Sequence, residues 1–576
     1  MVSTIPLYFE AGLEQVFALL SLPALGTPLR SSVLICSPWG WDEVASYRSR
    51  RRWAETLAAA GHPTLRFSRP GTGDSRGAPG DPDRAEAWVA ALTAAAENLR
   101  ESYPQRRVAA LGLGLGGVLA REAAGRGAPI DDLVLWGSPA SGRAFVREIT
   151  AFSGMQDWAG EETGLPEGWI EAGGFVISAE TAAALRQLPA AAGSRSRLTR
   201  ALLLDRDGAA PATAVTEWLN AAGAVVTNGS GAGWGDFVSH PERTTLPEEV
   251  AGAVETWLHE GEAGDAPTAV EPSAPAWGRD ELELDTGGAA VRESPLSVEQ
   301  DFGSAFGVLA EPTEAGAGLC AVFLNAGAVP HVGPNRLWVE TARRWAGRGV
   351  PSLRVDLEGI GEAGGDEQRL REVSEFYTDR YDPQVARLLD VLQARGLGDR
   401  FLLVGLCAGG FWSYRAALRD PRVTGAVLLN AGALRWHENI LQEREARKIG
   451  QAREWGRWRK LLRGEISRER LLSFLHSLFS RSSWRRETDA GFATELDQLR
   501  DKGVHLSLAF SGREPLHAEL QREGVISQLE RWPNVALHEL PGSDHTLRPL
   551  AAQRGARELL DEQLSLALRF VGSTSA

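Results

Sequence analysis

The residues best placed to do chemistry lie in Phe401-Leu-Leu-Val-Gly-Leu-Cys407-Ala-Gly-Gly-Phe-Trp412. An apolar run, a turn with Gly405 and Gly409, and a helical pattern together describe a nucleophile elbow. This is a strained strand-to-helix turn that lifts its central side chain above a sheet. The central residue here is Cys407. At a helix N-terminus the local field favours the thiolate, and the N–H of Ala408 would face the oxyanion of a tetrahedral intermediate. The blander reading of the same residues is a buried cysteine in a glycine-rich turn.

Partners follow in order. The apolar run Val504–Phe510 leads into Ser511-Gly-Arg-Glu514, and Val535–Leu540 leads into Pro541-Gly-Ser-Asp-His545. Nucleophile, then acid, then histidine is the order in which one triad-bearing fold presents its residues. Cys407, Glu514 and His545 are therefore the candidate catalytic set, with His545 as base and Asp544 as an alternative orienter. The loop Asn325–Pro334 follows the run Ala321–Leu324 and stands where a second oxyanion donor belongs, from Ala326 or Gly327. His331 in that loop is a candidate pocket group, or else a solvated histidine. The three cysteines, Cys36, Cys320 and Cys407, are too few and too far apart for a disulfide framework or a zinc site. No metal or cofactor is called for.

A cysteine nucleophile makes a thioester acyl-enzyme, which exchanges readily with thiols and amines. The expected chemistry is acyl transfer from an ester or thioester, as an acyltransferase or thioesterase. Two alternatives stay open: a plain hydrolase of esters, lactones or amides, and a catalytically lapsed binding or scaffold protein.

The elements that must hold these residues occur twice. Gly61, Pro63 and Leu65-Arg66 match Gly349, Pro351 and Leu353-Arg354, and Gly71 and Gly73 match Gly359 and Gly361, all at one offset. Gly112-Leu-Gly-Leu-Gly-Gly117 matches Gly405-Leu-Cys-Ala-Gly-Gly410. Short apolar runs alternating with helical patterns indicate a mostly parallel sheet covered on both faces. Between the copies, residues 259–279 have the Pro-, Ala- and Gly-rich composition of a linker. The expected domains are 1–258 and 280–576, the second with a helical cap near 433–500. In the first, Gly114 stands where Cys407 stands in the second, so Asp207, His240 and Ser138 have no nucleophile elbow to serve. Residues 1–258 read as a pseudoenzyme domain, expected to pack on its partner through an apolar interface.

The box at 405–410 resembles the cysteine boxes of dienelactone hydrolases and polyhydroxyalkanoate synthases. The stretches Leu324–Gly327, Gly333–Arg336 and Arg354–Gly361 are similar to bacterial serine-aminopeptidase-like α/β hydrolases, including the pair associated with exosortase systems. The resemblance covers most of both halves and implies two tandem α/β-hydrolase domains. One departure is Glu362-Ala363, where such proteins commonly carry Asp-Ser, the pair kept here as Asp74-Ser75.

Composition sets the outer limits. The chain has 576 residues, 43% hydrophobic and 24% charged, with a net charge of −14. That balance suits a globular protein and disfavours binding to nucleic acid or to an anionic membrane. No apolar run is long enough to span a bilayer. The N-terminus lacks a basic segment, and Glu10 and Glu14 interrupt its apolar stretch, so it does not read as a signal peptide. A cytoplasmic protein is expected. Within Arg435–Arg486, however, fourteen Lys and Arg oppose six Glu. Such a reversal suits either a solvated helix face or an anionic substrate handle, such as coenzyme A or a carrier-protein arm. Trp436, Trp455, Trp458 and Trp484 would line an acyl pocket or pack the cap.

Overall fold

The structure, a computed structural model, describes residues 2–158, 163–189, 195–261, 275–314, 318–436, 440 and 491–573. Most of the expected cap, including Trp455, Trp458, Trp484 and the bulk of the basic stretch, lies outside the described residues, as do residues 262–274 of the expected linker.

Each half carries one large sheet. In the first the strands are β1 (Ser3–Ala11), β2 (Glu14–Leu22), β3 (Ser32–Cys36), β4 (Thr64–Phe67), β5 (Val108–Leu113), β6 (Asp132–Trp136), β7 (Arg200–Leu204) and β8 (Val225–Gly229). Their order is β1-β2-β4-β3-β5-β6-β7-β8. In the second half they are β9 (Leu282–Leu284), β10 (Val291–Gln300), β11 (Gly303–Pro312), β12 (Leu319–Leu324), β13 (Ser352–Asp356), β14 (Arg400–Leu406), β15 (Val423–Leu429), β16 (His505–Phe510) and β17 (Val535–Glu539). Apart from the edge strand β9, the order β10-β11-β13-β12-β14-β15-β16-β17 repeats that of the first half. In both, a hairpin lies antiparallel at one edge and the remaining strands run parallel. Both sheets have the topology of the α/β-hydrolase fold.

The central strands are buried along nearly their whole length, as parallel strands covered by helices on both faces must be. The hairpins β1–β2 and β10–β11 were not foreseen from sequence. They alternate less cleanly than surface strands do, because one face packs on helices and the other on the partner half. Tyr8, Phe17 and Leu19 from the first hairpin join Phe306, Val308 and Trp338 in one continuous apolar cluster. The contact between the halves is apolar only in part. Beside it runs a buried ionic seam: Arg66 binds Glu362 through two 2.9 Å hydrogen bonds, and Arg354 bridges Asp74 at 2.9 Å and Glu293 at 2.6 Å. Residues at the end of the expected linker are stitched to the first half, where Tyr8 and Arg279 exchange two 2.8 Å backbone hydrogen bonds.

Candidate active site

Cys407 sits between β14 and the helix Ala408–Arg419 with φ 55° and ψ −117°. The left-handed φ is strain that the surrounding glycines make tolerable. A Cβ on Gly405 would lie 2.1 Å from the Gly409 carbonyl, and one on Gly409 would lie 2.3 Å from the carbonyl oxygen of Asn325. The elbow and the loop after β12 can approach this closely only without side chains at those two positions. Ala326 and Gly327 are thereby held next to the elbow, in a tight turn closed by the Val329 N–H on the Ala326 carbonyl at 3.2 Å.

His545 lies in the loop after β17 and Glu514 in the loop after β16. The Nδ1 of His545 is 3.0 Å from each carboxylate oxygen of Glu514, and the imidazole interacts with the Cys407 thiol. Asp544 is turned away, engaging Arg548 at 2.5 Å and the Thr546 N–H at 3.1 Å; it does not orient the histidine. Asn430, at the end of β15 with φ 42°, ties the two loops together. Its amide donates to the Ser511 hydroxyl at 3.0 Å and to the His545 carbonyl at 2.9 Å, and its carbonyl accepts from Ser511 N–H at 2.7 Å.

The electrostatics follow from this packing. Burial pushes the Cys407 thiol up, but the adjacent imidazole, the Tyr377 hydroxyl and the Ala408 N–H together outweigh it and leave the thiol below its ordinary value. Burial pulls His545 down, while Cys407 and Glu514 raise it well above the usual imidazole range. Each shift favours a thiolate–imidazolium pair. Cys36, with no such partners, is pushed up to about 12 by burial, only partly opposed by Arg69. The His545 side chain is 39% exposed, so solvent reaches the pair.

Tyr377 was missed from sequence. Its hydroxyl is 3.7 Å from Cys407 Sγ, and its ring stacks on Trp436 at 4.2 Å and 7°. Trp436 is thus one residue removed from the thiol. Gly432 lets the Tyr377 side chain in, since a Cβ there would fall 2.0 Å from the tyrosine oxygen. His331, read as a pocket group, has no exposed surface. Its Nδ1 meets Asp356 at 2.7 Å and its Nε2 meets Asp74 of the first half at 2.9 Å. A histidine with both nitrogens committed to buried carboxylates lines no pocket.

The first half repeats the elbow with glycine at its tip. Gly114 has φ 52° and ψ −126°, close to Cys407, but the space above it is taken by Pro38 and Trp234. Asp207, in the acid position after β7, accepts from the N–H groups of Gly233, Trp234 and Gly235 at 2.6, 3.0 and 3.0 Å, and so caps a short helix. His240 is exposed and pairs with Glu242. Ser138 donates only to the neighbouring Pro139 carbonyl, at 3.4 Å, among the described contacts. Glu242 itself accepts the N–H of Ala328, which places the first half directly against the 326–328 turn.

A family model described as serine aminopeptidase, S33 matches residues 44–159, within the half that carries Gly114. Several solved structures align with about half of this chain and nearly all of their own. A PEG-bound cold-adapted esterase from an Arctic intertidal metagenomic library is 16% identical over 49% of this chain and 96% of its own, with a TM-score of 0.30. A dienelactone hydrolase from Anabaena variabilis is 13% identical over 49% and 97%, with a TM-score of 0.30. A proline iminopeptidase from Mycobacterium smegmatis is 15% identical over 49% and 98%, with a TM-score of 0.30. No curated protein matches the chain. No helix among the described residues is long and apolar enough to cross a membrane.

Proposed function

We propose that the chain is an acyl-transfer enzyme of the α/β-hydrolase fold, acting through a thioester on Cys407. The observation that carries this reading is the hydrogen-bonded relay from Glu514 to His545 to a thiol held below its ordinary pKa. The Cys407 thiolate attacks the carbonyl carbon of an ester or thioester. The oxyanion rests on the Ala408 N–H and on the 326–327 turn. The C–O or C–S bond then breaks, and the leaving group takes the proton from His545. In the second half-reaction His545 removes a proton from the acceptor, which attacks the thioester and frees Cys407. Glu514 keeps the imidazole in its working orientation and stabilises its charged form. Tyr377 serves the thiolate as a hydrogen-bond donor.

The acceptor is an amine, alcohol or thiol, for which a thioester is well suited. The partial exposure of His545 favours a second reading for some substrates, hydrolysis with water as acceptor. The excess of fourteen Lys and Arg over six Glu within residues 435–486 supports a donor with an anionic handle, such as coenzyme A or a carrier-protein arm. Residues 1–258 act as a non-catalytic partner domain.

The test is trapping. Incubation with a p-nitrophenyl ester should leave an acyl adduct on Cys407, detectable by intact mass and peptide mapping. Cys407→Ala should abolish it, and His545→Ala should slow its formation by about 10²–10⁴-fold. An adduct elsewhere, or turnover unchanged in Cys407→Ala, would refute the proposal.

A further inference from the structure

A cavity of about 350 Å³ lies between the two halves, and none of Cys407, His545, Glu514 or Tyr377 lines it. Its walls come from both halves. Phe17, Trp39, Phe67, Trp88 and Phe175 belong to the first, and Val329, Pro330 and Leu550 to the second. Ligand pockets run from about 300 to 1,000 Å³ and pair apolar walls with a few placed polar groups. This cavity has that character.

Its charge is unbalanced. Five arginines against three carboxylates contribute to the lining. Most are spoken for. Arg66 is held by Glu362, Arg557 by Glu340, and Arg336 by the carbonyls of Gly73, Ser75 and Gly77. Arg554 is exposed and donates to the Thr163 carbonyl. Among the carboxylates, Glu43 is taken by Arg69, and Asp74 by His331 and Arg354. Arg50 is different. It is 5% exposed, and among the described residues no carboxylate forms an ion pair with it. Its Nε donates to the Ser46 hydroxyl at 3.1 Å and one terminal nitrogen to the Glu43 carbonyl at 2.7 Å. Burial pulls its pKa down to about 10, with Glu43 opposing only in part. A buried guanidinium without a counter-ion at the wall of an apolar cavity is costly unless an anion joins it.

We infer that the cavity is a second binding site, taking an aliphatic carboxylate of about ten carbons with its carboxylate on Arg50. The size follows from volume. At roughly 30 Å³ per heavy atom, the share a water has in the liquid, the cavity holds about a dozen heavy atoms, the number in decanoate. Because both halves supply the walls, occupancy is linked to their association and stabilises the full chain.

The experiment uses the full chain and decanoate, with 1-decanol as the uncharged control. Calorimetry should show one decanoate per chain, a rise in melting temperature, and binding by decanol at least tenfold weaker. Arg50→Gln should weaken decanoate at least tenfold and narrow its lead over decanol. Val176→Trp, which fills the cavity from the ribbon Phe175–Ile177, should abolish binding. Alkylation of Cys407 by iodoacetamide should proceed at the same rate in both variants, and in the wild type with or without decanoate. Wild-type protein that does not bind decanoate would overturn the inference. So would equal affinity in Val176→Trp, or protection of Cys407 by decanoate, which would place the ligand at the thiol instead.

Discussion

Asp74, from the first half of the chain, accepts a hydrogen bond at 2.9 Å from Nε2 of His331 in the second, whose Nδ1 donates to Asp356 at 2.7 Å. Both ring nitrogens face carboxylates, so both must carry protons and the ring is an imidazolium. Asp356 also takes the His331 N–H and the Asn325 amide, at 2.6 and 2.8 Å, and Asn325 in turn holds the Val329 carbonyl and the Leu357 N–H. The turn carrying Ala326 and Gly327 is therefore pinned from outside by a residue of the other half. Asp74→Asn should cost roughly 3–5 kcal/mol of stability, because Arg354 and His331 keep their charges in a buried site. It should also lower kcat on an activated ester more than it raises KM, since a loosened turn weakens transition-state contacts chiefly. Urea unfolding and steady-state kinetics would check both. Wild-type values for the two would mean that Asp74 positions nothing.

The same bridge sets a pH dependence. Burial lowers the His331 pKa, but Asp356 and Asp74 more than compensate and push it up to about 10. An unfolded histidine titrates near about 6.5. A group raised in the folded state contributes its full stabilisation below the unfolded value and loses it as pH climbs to the folded one. Stability should thus decline between about pH 6.5 and 10. Asp74 moves the other way: His331, Arg354 and Arg343 outweigh burial and hold it well below the carboxylate range. Its contribution is complete above about pH 4 and falls away in acid. Urea midpoints at several pH values should show both limbs, and His331→Gln should flatten the alkaline one. An equally steep alkaline limb in that variant would assign it to other groups.

Arg66 and Arg354 occupy matching positions in the two halves, as do Asp74 and Glu362, and each arginine pairs with the carboxylate of the other half. This exchange is the signature of a two-fold interface, in which i meets j and j meets i, here within one chain. Arg66→Ala should destabilise by about 3–5 kcal/mol, because Glu362, held at about 2 by Arg66 against the effect of burial, is left as a buried charge. The double variant Arg66→Leu with Glu362→Leu should recover most of that loss. A double variant as unstable as the sum of its single changes would show that the pair is not acting as a unit.

How much of this was legible in the sequence depends on the range of the interactions. The elbow reads directly from Gly405, Cys407 and Gly409 because a tight turn is a local steric demand. The loops bearing Glu514 and His545 are read from the fixed order in which the fold presents its residues. Tyr377 was invisible, since it reaches the thiol from the end of the short 3₁₀ helix Val373–Tyr377, which has no pattern of its own. His331 looked like an ordinary loop histidine because its partners, Asp356 and Asp74, lie far away in sequence and one of them in the other half. The departure of Glu362 from Asp74 was visible as a difference between the copies, but its meaning needed the crossed pairing with Arg66. The hairpin β1–β2 was missed because strands packed on both faces lose the alternation that marks a surface strand.

Thiol reactivity should report the state of Cys407. Its pKa lies below that of an ordinary thiol, because His545 and its other partners outweigh burial. The rate of alkylation by iodoacetamide should therefore persist at pH values where a free cysteine, near about 8.5, is mostly protonated. His545→Ala removes the largest favourable partner and should move the midpoint upward. Tyr377→Phe should shift it upward by less. An unchanged midpoint in His545→Ala would mean that the imidazole does not stabilise the thiolate.

The first half offers the sharpest test of what an elbow needs. Gly114, at φ 52° and ψ −126°, has nearly the backbone geometry of Cys407, at φ 55° and ψ −117°, so Gly114→Cys would restore the nucleophile in type and conformation. A Cβ there would meet Pro38 at 3.1 Å and the Trp234 ring at 3.8 Å, a fit that a small shift allows. What it would not regain is a base. Counted from the preceding strand, the place of His545 falls at Gly235, and Asp207 is spent on the N–H groups around it. Trp234 is 2% exposed and packs edge-on against Trp136 at 5.1 Å, closing the space where a substrate would enter. In a Cys407→Ala background, Gly114→Cys should therefore give a folded protein without esterase activity and with iodoacetamide reactivity no higher than that of Cys36. Adding Trp234→Gly and Gly235→His should raise labelling of residue 114 before it raises turnover, since access returns at once while the acid still points elsewhere. Turnover in the single Gly114→Cys variant would show that the first half kept a working site and lost only its nucleophile.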